Sequence, residues 1–222
     1  TASLSNSILE YRTYHKAKAW QPNDLQQIES MDIHHHLCTL AQGGDLFLAP
    51  IPNDVQKVVD WDSFYKEAFR CTRPGGWLED YENSIKLDSI DGSLTEDRPM
   101  GQWTKVFWEG GKKFGRTFKV VEDDMQIKGM EAAGFVDLVV KEITIPFGPW
   151  PNDSSQKEIG LFSKLTMESD VEGYVLYMWA AVMGWSIEEI RVYIAHLWRQ
   201  IKDPNTHACY RSRVVYGRKP NS

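Results

Sequence analysis

The sequence is short of cysteine, of basic charge and of long apolar runs, and each shortage excludes a class of protein. Three cysteines in 222 residues are too few for a disulfide framework or a zinc ribbon. A formal net charge of −6 argues against nucleic-acid binding, because phosphate recognition needs a surplus of Lys and Arg on one face. The longest apolar run, Tyr174 to Trp185, is shorter than the roughly 20 residues that a membrane span needs.

The first residues, TASLSNSILEYRTYHK, lack the basic start and the apolar stretch of a signal peptide. Together these shortages predict a cytoplasmic protein that binds neither nucleic acid nor a membrane. No metal site is predicted, because the successive side chains of His34, His35 and His36 point about 100° apart on a helix.

Aromatic residues are abundant: the chain has nine Trp, nine Tyr and nine Phe. Such rings either fill an ordinary core or line a pocket for a flat apolar ligand, and the sequence leaves both readings open. The rings that we expect at a substrate pocket are Trp77, Trp103, Phe107, Trp150, Tyr174 and Trp179.

Hydrophobic periodicity predicts a mainly helical α/β chain with a small sheet of about three strands. Helices are expected at 23–42, 61–71, 102–114 and 123–133 and in a section from 156 to 202, where Ser186 and Glu189 predict a capping box. Strands are expected at 77–85, 135–145 and 209–216. The segment 88–99 is expected to be a loop because it is rich in Gly, Pro, Ser and Asp.

The first predicted helix is expected to have an apolar face that includes a histidine. At about 100° per residue, that face is made of Leu25, Ile33, His36, Leu37 and Leu40. Ile28 and His35 lie at its edge and His34 on the opposite side. His36 is then either a buried neutral core residue or a proton-transfer group, since an imidazole titrates near neutral pH.

Several stretches resemble a known family. They are RTYHKAKAWQPND (12–24), DIHHHLCTLAQGGDLFLAPI (32–51), FRCTRPGGWLE (69–79), AAGFVDLVVKEITIPFGPWP (132–151), GWSIEEI (184–190) and HACYRSRVVYGRKP (207–220). In this order they resemble the class I methyltransferase-like proteins of filamentous fungi. That group includes a global regulator of secondary metabolism and many enzymes of biosynthetic gene clusters.

The resemblance implies a Rossmann-like sheet that binds S-adenosylmethionine through a glycine-rich loop and a ribose-binding acid. The chain lacks both, because Trp61-Asp62-Ser63-Phe64 follows Val59-Asp60 directly. We therefore expect no cofactor and a single truncated domain built around the remnant of that sheet. Its parts would be an N-terminal helical segment (1–56), a residual α/β core (57–145), a helical lid (146–206) and a final strand (207–222).

The strand WLEDYEN carries three carboxylates, which is unusual for a strand in a covered sheet. Alternation places Glu79 and Tyr81 on one face and Asp80 and Glu82 on the other. A buried carboxyl group with a raised pKa would be a general acid, whereas carboxylates at a sheet edge would be solvated and discourage aggregation. The residues that we predict to be catalytic are Glu79, Tyr81, His36 and His35.

These expectations lead to two functional hypotheses. The first is an isomerase or cyclase of fungal secondary metabolism that works without a cofactor on an apolar aromatic or alkaloid intermediate. Rearrangement of an epoxide is the favoured reaction, since the resemblance extends to methyltransferase-like proteins that perform it in quinolone alkaloid pathways. The second is a non-catalytic pseudo-methyltransferase that acts as a binding partner or a homodimer through an unpaired strand edge.

Overall fold

The computed structural model of the protein describes residues 22, 24–45, 48–49 and 61–221. The helices are α1 (Leu25–Ala41), α2 (Trp61–Cys71), α3 (Pro99–Phe114), α4 (Met125–Ala133), α5 (Ser154–Leu176) and α6 (Ile187–Lys202), and a π-helical turn, Tyr177–Val182, follows α5. The strands are β1 (Trp77–Asn83), β2 (Asp88–Ser89), β3 (Val136–Pro146) and β4 (Ala208–Arg218). The mainly helical α/β prediction is confirmed, as are all the long elements.

The four strands form one small sheet in which β4 is the shared partner of the other three. β1 runs antiparallel to β4 in register from Trp77 opposite Arg218 to Asn83 opposite Ser212. β2 pairs with Ala208 and Cys209 at the start of β4. The predicted loop 88–99 therefore begins with a two-residue strand. Among the described strands, β1 pairs only with β4, which leaves its other edge without a strand.

The described residues form two compact units, each built from separate stretches of the chain. The helical unit contains residues 24–38, 85–118 and 145–210. The sheet unit contains residues 39–45, 48–49, 61–84, 119–144 and 211–221. Within the described residues, no helix has the length and apolar character needed to cross a membrane.

Local sequence explains where the helices of the helical unit begin and end. Pro99 starts α3, and Gly115 ends it in the left-handed conformation at φ 71°, which glycine adopts without a steric penalty. Ser186 and Glu189 form the predicted capping box of α6. The core of this unit is aromatic: the side chains of Trp103, Phe107 and Trp179 are at most 2% exposed.

In the sheet unit, α2 packs on α4 at a point of close approach. A Cβ atom on Gly129 would lie 2.1 Å from the ring of Tyr65, so glycine at this position allows the two helices to meet. Tyr65, Met130, Phe135 and Val215 form the small apolar core there. The same unit also buries polar groups, among them Asp80, Gln126 and Arg213.

The predicted face of α1 is wrong in part: Leu37 is buried as expected, but other members of that face are not. Leu25 is 78% exposed and Ile28 50% exposed, His36 is exposed and His34 is half-buried. Besides Leu37, the buried residues are Gln27 and Ser30, which the predicted face did not include. The physical reason is a polar contact: the hydroxyl of Ser30 donates to the carbonyl of Thr166 on α5 at 3.0 Å, so α1 turns its polar side toward the helix that it packs against.

Candidate functional site

The candidate site is the acidic strand β1 and the groups around it in the sheet unit. The strand contains Glu79, Asp80 and Glu82, and all three carboxyl groups have pKa values above their usual range. Burial is the largest cause in each case, because a low-dielectric environment disfavours the charged form. One short strand thus carries three carboxyl groups whose charged form is disfavoured by burial.

Asp80 is the most buried of the three, with 9% of its surface exposed. The phenol of Tyr65 donates a hydrogen bond to its Oδ2 at 2.6 Å. This bond opposes the effect of burial on the pKa of Asp80, because it favours the charged carboxylate. Burial and the neighbouring charge of Asp80 in turn raise the pKa of Tyr65, so the phenol keeps its proton and remains a donor.

Glu82 lies two residues further along and therefore on the same face of the strand as Asp80. Burial, with a contribution from the charge of Asp80, raises the pKa of Glu82 to about 8. A carboxyl group with this pKa is largely protonated at neutral pH. Its side chain is half-buried, so it keeps some access to solvent or to a ligand.

Glu79 makes different contacts. Its Oε2 accepts hydrogen bonds from the backbone amides of Leu48 and Ala49, at 2.7 and 2.5 Å. These two bonds work against the rise in its pKa that burial produces. Glu79 therefore holds the segment 48–49 beside β1, an anchoring contact that sequence alternation did not reveal.

The other predicted site residues of the sheet unit lie on β1 as well. Tyr81 pairs with Val214 of β4 and is half-buried. Trp77 lies opposite Arg218, and its ring meets that of Tyr216 edge-on at 5.8 Å. Their roles in catalysis and substrate binding remain predictions.

The remaining predicted residues belong to the helical unit. His35 and His36 are exposed on α1, and the ring of His36 packs edge-on against Phe162 at 4.6 Å. Trp150 donates its indole N–H to the carbonyl of Ala208 at 3.0 Å. Tyr174 shares a hydrogen bond of 3.2 Å with the hydroxyl of Ser30.

Three of the predicted pocket rings pack against one another. The ring centroids lie 4.8 Å apart for Trp103 and Phe107, 5.1 Å for Phe107 and Trp179, and 5.8 Å for Trp103 and Trp179. With exposures of 0 to 2%, they form core here, which is the alternative that the sequence left open.

A cleft of about 320 Å³ lies between α2 and α4 in the sheet unit. It is lined mainly by the apolar residues Met125, Ala132 and Ala133, together with Tyr65 and two lysines. Tyr65 thus connects this cleft to Asp80. The volume is at the lower end of the range for small-molecule sites, roughly 300 to 1,000 Å³.

The sequence does not reveal the role of Tyr65. It leaves Asp80 and Glu82 open between buried acids and solvated charges at a sheet edge. The available signal was the pair of acids at i and i+2 on a strand, which places both side chains on one face. What sequence reasoning lacked was the partner, since Tyr65 comes from α2 and its contact with β1 depends on tertiary packing.

The described residues do not fit an S-adenosylmethionine site of the expected type. Such a site needs a glycine-rich turn between a strand and a helix. Residues 58–60, the expected end of that strand, lie outside the described residues, and the chain from Trp61 onward is already helical and contains no glycine up to Cys71. Elsewhere in the described part of the chain, each segment between a strand and the following helix contains one glycine, Gly92 before α3 and Gly148 before α5.

Comparisons with known proteins found relatives in fungi. Probable methyltransferase tdiE of Emericella nidulans is 30% identical over 163 residues, which cover 73% of the chain and 50% of tdiE. Methyltransferase pytC of Aspergillus terreus is 24% identical over 296 residues, or 98% of the chain and 91% of pytC. Secondary metabolism regulator laeA of Aspergillus fumigatus is 24% identical over 165 residues, or 73% of the chain and 43% of laeA.

The lengths of these matches are informative. The chain spans about half the length of tdiE. The match to pytC extends over more positions than the 222 residues of the chain, so pytC has residues without a counterpart here. No protein-family model matches the chain, and no solved structure matches it.

Proposed function

Because the chain is related to the methyltransferase-like proteins of filamentous fungi, we propose that it is an enzyme of secondary metabolism that works without S-adenosylmethionine. The proposed reaction is an acid-promoted rearrangement, cyclisation or isomerisation of an apolar aromatic intermediate, for example an epoxide. The observation that carries this proposal is the pair formed by Glu82 and Asp80 on β1. Two carboxyl groups in different environments can divide the roles of acid and base.

Glu82 is the proposed acid. A half-buried carboxyl group with a pKa of about 8 holds a proton at neutral pH and releases it to a substrate oxygen as the carbon–oxygen bond of an epoxide breaks. Asp80, which accepts the hydrogen bond of Tyr65, is the proposed base. After a hydride shifts from the oxygen-bearing carbon to the carbon freed by the bond cleavage, Asp80 accepts the proton that the oxygen loses as the carbonyl forms, and this proton returns to Glu82 for the next turnover. The proton count balances, so an isomerisation by this route needs no cofactor or co-substrate.

The first test is turnover of a simple aryl epoxide. We expect the purified protein to accelerate the conversion of styrene oxide to phenylacetaldehyde without added S-adenosylmethionine. Glu82→Gln should slow the reaction about 100-fold or more, because general acid catalysis contributes roughly 10²- to 10⁴-fold. The matched control is Glu131→Gln, which removes an exposed carboxylate from α4 and should leave the rate unchanged.

Three results would contradict this function. They are the absence of acceleration by the wild-type protein, an equal rate in the Glu82→Gln variant, and transfer of a labelled methyl group from S-adenosylmethionine to an acceptor. Calorimetric titration with S-adenosylmethionine gives an independent check, since we expect no binding.

A second candidate function is a non-catalytic partner, formed either as a homodimer or with an intact methyltransferase. It is favoured by the edge of β1 that no described strand covers, because such an edge is a template for strand addition. Three carboxylates on β1 oppose the pairing of two identical edges. Sedimentation at pH 5 and pH 8 tests the homodimer. Edge pairing predicts more dimer at pH 5, because Glu82, with a pKa of about 8, loses its charge as the pH falls, and a monomer at both pH values contradicts it.

A further inference from the structure

The helical unit contains an open groove of about 590 Å³. We call it the aromatic groove. The residues that matter for its chemistry are Asp97, Trp185, Glu188, Glu189, Tyr193 and His196. Its volume is in the middle of the range typical of small-molecule sites, and none of these residues was predicted to be functional.

Two rings form a fixed apolar wall of the aromatic groove. Trp185 meets Tyr193 edge-on, with ring centroids 5.8 Å apart and planes at 89°. The phenol of Tyr193 donates to the carbonyl of Pro99 at 2.9 Å, which fixes this ring against the start of α3. Tyr193 is 5% exposed, whereas Trp185 is half-buried and so keeps ring surface for a ligand.

Carboxylates from two separate segments converge on the same groove. Asp97 comes from the loop before α3, while Glu188 and Glu189 come from the first turn of α6. Hydrogen bonds with Thr95 and with Ser186 hold the pKa values of Asp97 and Glu189 below the usual range. Among the described residues that line the groove, none is Lys or Arg.

Local structure explains part of this pattern. Glu189 completes the capping box, and acidic residues in the first turn stabilise a helix through its dipole. The local structure of α6 does not explain why Asp97, from another part of the chain, lines the same groove as Trp185. An aromatic wall and three carboxylates, with no Lys or Arg among the lining residues, together match the requirements of a positively charged ligand with an apolar body.

We propose that the aromatic groove binds an organic cation, a quaternary or protonated tertiary amine with an attached apolar group. Trp185 contacts the apolar body and the charged centre, and the carboxylates of Asp97 and Glu188 balance the charge. This inference is independent of the proposed chemistry on β1, since it uses other residues and another unit.

The test is an NMR titration with benzyltrimethylammonium chloride, with its neutral isostere neopentylbenzene as the comparison ligand. Binding should shift the indole N–H resonance of Trp185 and the methyl resonances of Val192, which also lines the groove. Trp185→Leu should weaken binding about tenfold, because it removes the cation–π contact with the face of the indole ring. The double variant Asp97→Asn, Glu188→Gln should weaken it several-fold and leave the fold intact, since both side chains are exposed.

Two controls match these variants. Glu158→Gln removes an exposed carboxylate of α5, and Trp198→Leu removes a half-buried indole of α6 that does not line the groove. Neither should change the affinity. The inference is overturned if neopentylbenzene binds as tightly as the cation, if the shifts fall outside the groove, or if the charge-removing double variant binds with wild-type affinity.

Discussion

The helical unit and the sheet unit bury different kinds of groups. The interior of the helical unit is built on tilted and edge-on rings, with Phe107 and Trp179 fully buried. The sheet unit has a small apolar core and buries Asp80, Gln126 and Arg213 beside it. The guanidinium of Arg213 is satisfied by the carbonyl of Val121 at 2.8 Å and by Asp124 and Glu142 at 2.7 and 2.6 Å.

The difference matters because the two kinds of burial contribute differently to stability. Apolar surface stabilises a fold in proportion to the area removed from water, at about 25 cal/mol per Å². A buried polar group stabilises it only while its partner is in place. The chemistry is therefore expected in the sheet unit, where burial is costly, and the aromatic core of the helical unit is expected to carry the stability.

The largest expected effect is on the aromatic core. Trp179→Ala should lower the free energy of unfolding by about 3 to 5 kcal/mol, because it removes a fully buried ring and leaves a cavity. Urea denaturation measures this. Trp198→Ala, which truncates a half-buried ring, is the control and should cost less. If the two variants were equally stable, the rings would not be the main source of stability.

The second expected effect concerns pH and the acid pair. The pKa of Glu82 rises from 4.5 to about 8 on folding, so between these values the folded protein binds more protons than the unfolded chain. Stability therefore falls as pH rises through this range. Glu82→Gln should remove much of this dependence of stability on pH. At pH 8 the variant should be more stable than the wild type by up to a few kcal/mol, whereas near pH 4.5 it should not be more stable.

Chemical denaturation at several pH values checks this. Asp80 and Glu79, whose pKa values are also raised, should leave a residual slope of the same sign. Glu131→Gln should follow the wild-type curve. A variant less stable than the wild type at pH 8 would mean that the ionised form of Glu82 is the one that the fold favours.

The third expected effect is smaller and isolates one hydrogen bond. Tyr65→Phe should lower stability by about 1 to 3 kcal/mol, since it leaves Asp80 without the donor that satisfies it. It should also raise the pKa of Asp80 further. Tyr216→Phe is the control, because no hydrogen bond from its hydroxyl is found among the described residues. If both variants behaved alike, the hydroxyl of Tyr65 would have no special role.

These effects also mark the limit of what the sequence could predict. Periodicity and caps located every long helix and strand, because those signals are local: Ser186 and Glu189, three residues apart, predicted the start of α6. The buried face of α1 was predicted correctly only for Leu37, because the burial of Ser30 depends on its bond to Thr166, which is not local. For the same reason alternation placed Asp80 and Glu82 on one face but could not identify Tyr65 as the partner.

The smallest expected effect tests the cap of α6, where the helix meets the aromatic groove. Ser186→Ala should cost about 1 kcal/mol, because the serine hydroxyl accepts a hydrogen bond from the amide of Glu189 at 3.2 Å. Thermal unfolding measures the loss, and Ser154→Ala, which changes an exposed residue in the first turn of α5, is the matched control. Because the variant also frees the carboxylate of Glu189 from the hydroxyl of Ser186, benzyltrimethylammonium should bind it at least as well as it binds the wild type. A large loss of affinity would show instead that the aromatic groove depends on the cap for its shape. Ligand binding would then be coupled to the stability of α6.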